Sequence, residues 1–175
     1  MGLTNPQVRP NEHIILSDNM FRDVVDNVVE VLRRELKDDP EQNLKHIRRN
    51  TEVFDEDVIL IPKPPAIAVS FSDWSEGPTT MGQRYPQTVE YEIEINVFYY
   101  HAEAKNKIRK HEIRDALWDI ARILRRNSDL NGLSSKGALI RGGEIMYRSR
   151  GDKLYEGGLI RLGVQTLDQT RRGVT

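Results

Sequence analysis

From Thr88 to Tyr100 apolar and polar residues alternate: Val89, Tyr91, Ile93, Ile95, Val97 and Tyr99 against Thr88, Glu90, Glu92, Glu94 and Asn96. A period of two over this length predicts a β-strand with one apolar and one wet face. Its β-branched and aromatic side chains suit a pleated surface, and the clean alternation predicts an antiparallel sheet covered on one side. The wet face displays Glu90, Glu92 and Glu94, about 6–7 Å apart by strand geometry.

Elsewhere the period changes. Phe21, Val24, Val25, Val28, Val31, Leu32 and Leu36 fall at helical spacing, with Ser17 or Asp18 as N-cap and Asp38-Asp39-Pro40 as the stop. A basic helical turn between Glu41 and Thr51 and a short extended run at Val58–Ile61 are weaker signals. Ala66–Phe71 predicts a second strand. Asp73–Gln87, with two glycines, two prolines and Trp74, predicts a loop much longer than a hairpin turn requires. Ile113, Ala116, Leu117, Ile120, Ala121 and Leu124 form the apolar stripe of a second helix from about Ala104 to Arg126. Strands at Ala138–Arg148 and Tyr155–Leu167 complete the pattern, the latter with Ile160, Leu162 and Val164 on one face and Arg161, Gly163 and Gln165 on the other. Between them, Arg150-Gly151-Asp152 is read as a hairpin turn rather than as a recognition tripeptide.

The expected fold is α+β: a mainly antiparallel four-stranded sheet, two amphipathic helices on one face, and a long loop between the first two strands. One domain accounts for residues 1–175, with 1–12 as a mobile arm, 73–87 as the loop and 168–175 as a polar tail.

Composition narrows the chemistry. Net charge is -1, so no global field draws the chain to DNA or to a membrane. There is no cysteine, which excludes disulfides and thiolate chemistry. The start lacks a basic-then-apolar leader and no apolar run approaches a membrane span, so a soluble, cytosolically made protein is expected. His13, His46, His101 and His111 form no H-x-x-x-H pair, and no nucleophile elbow or phosphate loop occurs. Gly142-Gly143 and Gly157-Gly158 read as bulges or close backbone approaches. Glu90 and Glu94 stand about 13 Å apart, too far for one cation, and Arg141, Arg148 and Arg161 on neighbouring strands are expected to pair with the glutamates. No catalytic group, cofactor or metal is expected.

Helix two is strongly basic: Lys105, Lys107, Arg109, Lys110, Arg114, Arg122, Arg125 and Arg126 against Glu112, Asp115 and Asp119. A nucleic-acid-binding module on this helix is one reading, although it lacks the interleaved aromatics that base stacking uses. The other is contact between copies, because opposite charges on different faces of one molecule suit head-to-tail rings. Trp74 either folds back on the core or anchors a partner.

The layout resembles the tail terminator (tail completion, or head–tail joining) proteins of long-tailed bacteriophages over roughly Asn19–Leu167. The resemblance is carried by FRDVVDNVVEVLRREL, PPAIAVSFSDW, TVEYEIEINVFYYH, IRDALWDIARILRRN with SDLNGL after it, GALIRGGEIMYR and YEGGLIRLGVQTL. It implies a non-enzymatic structural virion protein, assembled in the host cytoplasm into a homomeric, usually hexameric, ring. That ring caps the tail tube, ends its growth and joins it to the head connector or neck proteins, while DNA passes its channel without specific binding. Under this resemblance Glu90, Glu92 and Glu94 are candidates for the channel lining. Trp74, Arg84, Tyr85, Arg109, Lys110 and Arg114 are candidates for contacts with other subunits or partners. Other phage neck or tail-tube proteins of related fold remain an alternative.

Overall fold

A computed structural model describes residues 19–38, 51–55, 65–77, 88–100, 106–150 and 153–167. The elements are α1 (Met20–Asp38), β1 (Glu52–Phe54), β2 (Ala66–Glu76), β3 (Thr88–Tyr100), α2 (Asn106–Arg126), β4 (Leu139–Arg150) and β5 (Lys153–Leu167). The helix α1 begins where Asn19 Oδ1 accepts the backbone N–H of Phe21 (3.1 Å) and Arg22 (3.4 Å), so Asn19 is the cap. Ser17 and Asp18, the expected caps, lie outside the described residues, as do the Val58–Ile61 run, residues 41–50 of the expected basic turn, the arm and the tail.

The sheet is α+β as expected but has five strands, in the order β1-β2-β3-β5-β4. β3 is central and antiparallel to both neighbours, β4 and β5 form an antiparallel hairpin, and β1 runs parallel to β2 over three residues. Four strands were expected; the fifth, β1, is too short to show a period. The register puts Ile93, Ile95 and Val97 in line with Phe71, Val69 and Ile67 on one side and Leu162, Ile160 and Gly158 on the other. That continuous apolar face is covered by α1 over β1–β3 and by α2 over β3–β5. Ile67, Val69, Ile93, Ile95, Leu162 and Val164 are fully buried or nearly so, together with Val24, Val28 and Leu32 of α1 and Ile113, Ile120 and Leu124 of α2.

Between the helices the contact is polar. Arg34 donates from Nη1 to Asn131 Oδ1 and from Nη2 to Asn127 Oδ1, both at 3.0 Å. Asn131 Nδ2 donates to Asn27 Oδ1 (3.3 Å), and Arg126 Nη2 donates to Glu35 Oε2 (3.1 Å). Arg34 and the amides of Asn27, Asn127 and Asn131 are tolerated in such a buried seam because they hydrogen-bond one another. The turn that supplies Asn131 is left-handed, with φ of 48° at Leu130 and 60° at Asn131, and the fully buried Leu130 side chain pins it to the core.

The loop before β3 is shorter than the sequence predicts. β2 continues through Glu76, and Gly77 N donates to Thr88 O at 2.9 Å, closing the ladder at its base. Trp74 therefore belongs to a strand, not to the loop. Residues 78–87, including Arg84 and Tyr85, lie outside the described residues.

Candidate functional site

The face of the sheet turned away from the helices carries the row of carboxylates. Alternation along β3 sends Glu90, Glu92 and Glu94 to this side, and the register brings Asp73 of β2 opposite Glu92. On the other flank Arg161 of β5 lies opposite Glu94, its Nε 3.7 Å from Glu94 Oε1 and its Nη2 3.1 Å from Glu144 Oε1. Arg141 crosses from β4 over β5 to form an ion pair with Glu90 on β3. It does so because β5 has a glycine there: a Cβ on Gly163 would come within 2.5 Å of Arg141 Nε and 3.2 Å of Glu90 Oε1. A bulge between Ile140 and Gly142 turns Arg141 to this face. Pairing of arginines with the ladder was expected for Arg141 and Arg161 and is observed. The Arg148 side chain lies outside the described residues.

Glu92 is different. Its register neighbours are Asp73 and Gly163, and the Arg141 side chain passes over Gly163 on its way to Glu90. Among the described residues this face holds Asp73, Glu90, Glu92, Glu94 and Glu144 against Arg141 and Arg161, so its centre is acidic. Among the described residues no three of His, Asp or Glu are placed to hold a metal ion together.

The outer face is not open throughout, contrary to the one-sided cover read from the alternation. Towards the Phe98 end, Ala66, Ala68, Ser70, Asn96, Phe98 and Leu159 are buried although they point away from the helices. On β2 and β3 the water-facing part is the Glu90–Glu94 half, while on β4 Glu144 is exposed at the level of Leu159.

Trp74 reaches its position through a second bulge. The β2–β3 register slips between Phe71 and Asp73, with Ser72 as the extra residue. Phe71 and Trp74, three apart in sequence, thus share the helix side, whereas a regular strand would place them on opposite faces. Phe21 at the start of α1 meets Phe71, Trp74 and Tyr91 edge to face, with ring centroids 5.0, 5.8 and 5.7 Å away. Trp74 is still 45% exposed and Phe21 40%, so the cluster sits at the rim. Trp74 packs on Phe21 and keeps nearly half of its surface open to solvent.

The outward face of α2 holds a feature the sequence reading did not single out. Trp118 is 57% exposed, with the Arg125 guanidinium 5.3 Å from its ring centroid. That is a cation–π stack on the surface. Helical spacing places exposed Arg114 one turn before Trp118 and Arg122 one turn after it. An aromatic among the arginines of helix two is thus present, in place of the expected absence. It was missed because Trp118 falls outside the apolar stripe. For Arg109 and Lys110 only the backbone, within α2, is described.

A shallow groove of about 450 Å³ lies between the end of α1 and β1, lined by Arg33, Leu36, Lys37, Thr51, Glu52, Val53 and Phe54. The Arg33 guanidinium there donates from Nε and Nη2 to Val53 O (3.2 and 2.7 Å) and ties β1 to the helix. No protein-family model and no curated protein sequence matches this chain.

Proposed function

We propose that the protein is a non-enzymatic structural subunit of a homomeric, six-membered ring that caps a phage tail tube, ends its growth and joins it to the head connector. The observation that carries this reading is the acidic outer sheet face, where the carboxylates of Asp73, Glu90, Glu92, Glu94 and Glu144 outnumber the guanidinium groups of Arg141 and Arg161 among the described residues. A wall of this kind repels phosphate and lets DNA pass without capture. The ion pairs of Glu90 and Glu94 with Arg141 and Arg161 order the ladder and leave carboxylates in excess on the face. The resemblance of the layout to tail terminator proteins supplies the larger setting, a virion tail or neck.

Light scattering and negative-stain images of the purified chain, alone and mixed with assembled tail tubes, test the proposal. Rings, or capped tubes of fixed length, are expected. A strict monomer that neither closes into rings nor binds tubes overturns it. A second reading, nucleic-acid binding through α2, is favoured by the Trp118–Arg125 stack among arginines. It predicts DNA affinity that falls steeply with salt.

A further inference from the structure

The two lateral flanks of the molecule differ in charge. On one flank, β1 covers β2 only at Ala66–Ala68, so the edge of β2 beyond Ser70 has no strand beside it among the described residues. Ser72, Asp73, Trp74, Ser75 and Glu76 are all exposed, on both faces of the pleat. This half-edge presents two carboxylates and, with Phe21, two half-exposed aromatic rings. Exposed carboxylates beside exposed aromatic rings suit a basic partner with an aromatic anchor.

On the other flank α2 packs over β4 and β5. Arg126 faces α1, where it meets Glu35. By helical spacing Arg114, Trp118 and Arg125 project away from both the core and α1. This flank is basic, with one exposed indole. The two surfaces lie on opposite sides of the central strand β3 and are opposite in sign, so one copy can offer the first while using the second. A contact between two different patches is head-to-tail, the kind that closes into rings. It leaves the Glu90–Glu94 face free for a channel.

We infer that Arg114, Trp118 and Arg125 on α2 of one copy dock on the Asp73–Glu76 edge, with Trp74 and Phe21, of the next copy. The inference rests on the ring reading and names the interface that reading requires. Charge complementarity brings the flanks together, and Trp118 anchors the contact against the Phe21–Trp74 rim.

The experiment compares four chains with the parent by light scattering and negative stain, and checks their folding by circular dichroism. Trp118→Ala is expected to weaken ring formation roughly thirtyfold, as loss of an interface hot spot does. Arg114→Glu with Arg125→Glu, and separately Asp73→Arg with Glu76→Arg, are expected to abolish rings while leaving the chain folded. Combining all four charge reversals restores opposite signs across the contact, and rings are expected to return. Rings that persist in both reversed pairs overturn the interface but leave the ring reading standing. A parent chain that forms no ring, alone or on tubes, overturns both. Tight, salt-sensitive DNA binding by the parent that is lost with Trp118→Ala, with ring formation unchanged, assigns the α2 face to nucleic acid and overturns the proposal.

Discussion

Gly158 of β5 lies directly beneath Leu117 of α2: a Cβ on Gly158 would come within 2.6 Å of Leu117 Cδ1 and 2.9 Å of its Cγ. The second helix therefore approaches the sheet as closely as it does because one strand position lacks a side chain. Gly158→Ala is expected to cost about 1–3 kcal/mol through overpacking. Leu117→Ala in the same chain is expected to recover part of that loss. Urea unfolding of the two single variants and the double variant measures the coupling. Additive losses would show that the two residues do not compete for the same space.

The two faces of β3 separate in a second test. Ile93 and Ile95 are fully buried, so replacing either with alanine is expected to cost about 2–5 kcal/mol. Glu90, Glu92 and Glu94 are part-exposed, and their arginine pairs are surface pairs worth about 0–1 kcal/mol each. The triple glutamine variant is therefore expected to unfold close to the parent's urea midpoint. Similar losses in both sets would place the strand the other way round.

The Ser72 bulge makes a spectroscopic prediction. In a Trp118→Phe chain Trp74 is the single tryptophan, since the sequence holds two. Deleting Ser72 removes the extra residue, leaves Phe71 and Trp74 two apart and so keeps Trp74 on the Phe21 side. Its fluorescence is expected to stay close to the parent's. Phe21→Ala is expected to shift the emission to the red, to open Trp74 to an ionic quencher and to cost about 1–2 kcal/mol, as a half-exposed aromatic contact would. An unchanged spectrum in Phe21→Ala would remove Phe21 as the partner of Trp74, and a red shift on deleting Ser72 would show that Ser72 is not the extra residue.

The polar seam between the helices supplies a fourth test. Arg34→Ala leaves Asn127 and Asn131 without their guanidinium donor, at a cost of about 1–3 kcal/mol. Arg34→Met keeps the aliphatic stem and is expected to be nearly as harmful, because packing is not what the residue supplies. Thermal unfolding of the two variants distinguishes hydrogen bonding from bulk.

Much of this architecture is legible in the chain. The alternation of β3 and of Ile160–Val164 predicts both strands and their inward faces, and the helical stripes predict both helices to within about two residues at each end. What escapes the reading lacks a period or inverts one. β1 has three residues, too few to alternate. Ser72 and Asp73 are both polar, so nothing in their composition marks the slip that reverses the parity of Trp74. Asn27 and Glu35 look like solvated helix positions and become buried only because Asn131 and Arg126 arrive to meet them. The acidic ladder is visible in sequence. Its pairing with Arg141 across β5 depends on Gly163 and on a bulge, which only the assembled sheet reveals.

The strand order also governs how the chain acquires its structure. β3 takes β2 on one side from the preceding segment, but its other neighbour is β5, separated from it by α2 and β4. Closing that second pairing requires a long loop to be ordered first, an entropic cost that slows folding. During synthesis Ile93 and Ile95 therefore wait for Ile160 and Leu162, with only half of their strand neighbours in place. A nascent chain stalled before Lys153 would carry a half-finished hydrophobic sheet whose exposed flank is β3 itself, the surface most in need of protection from premature association.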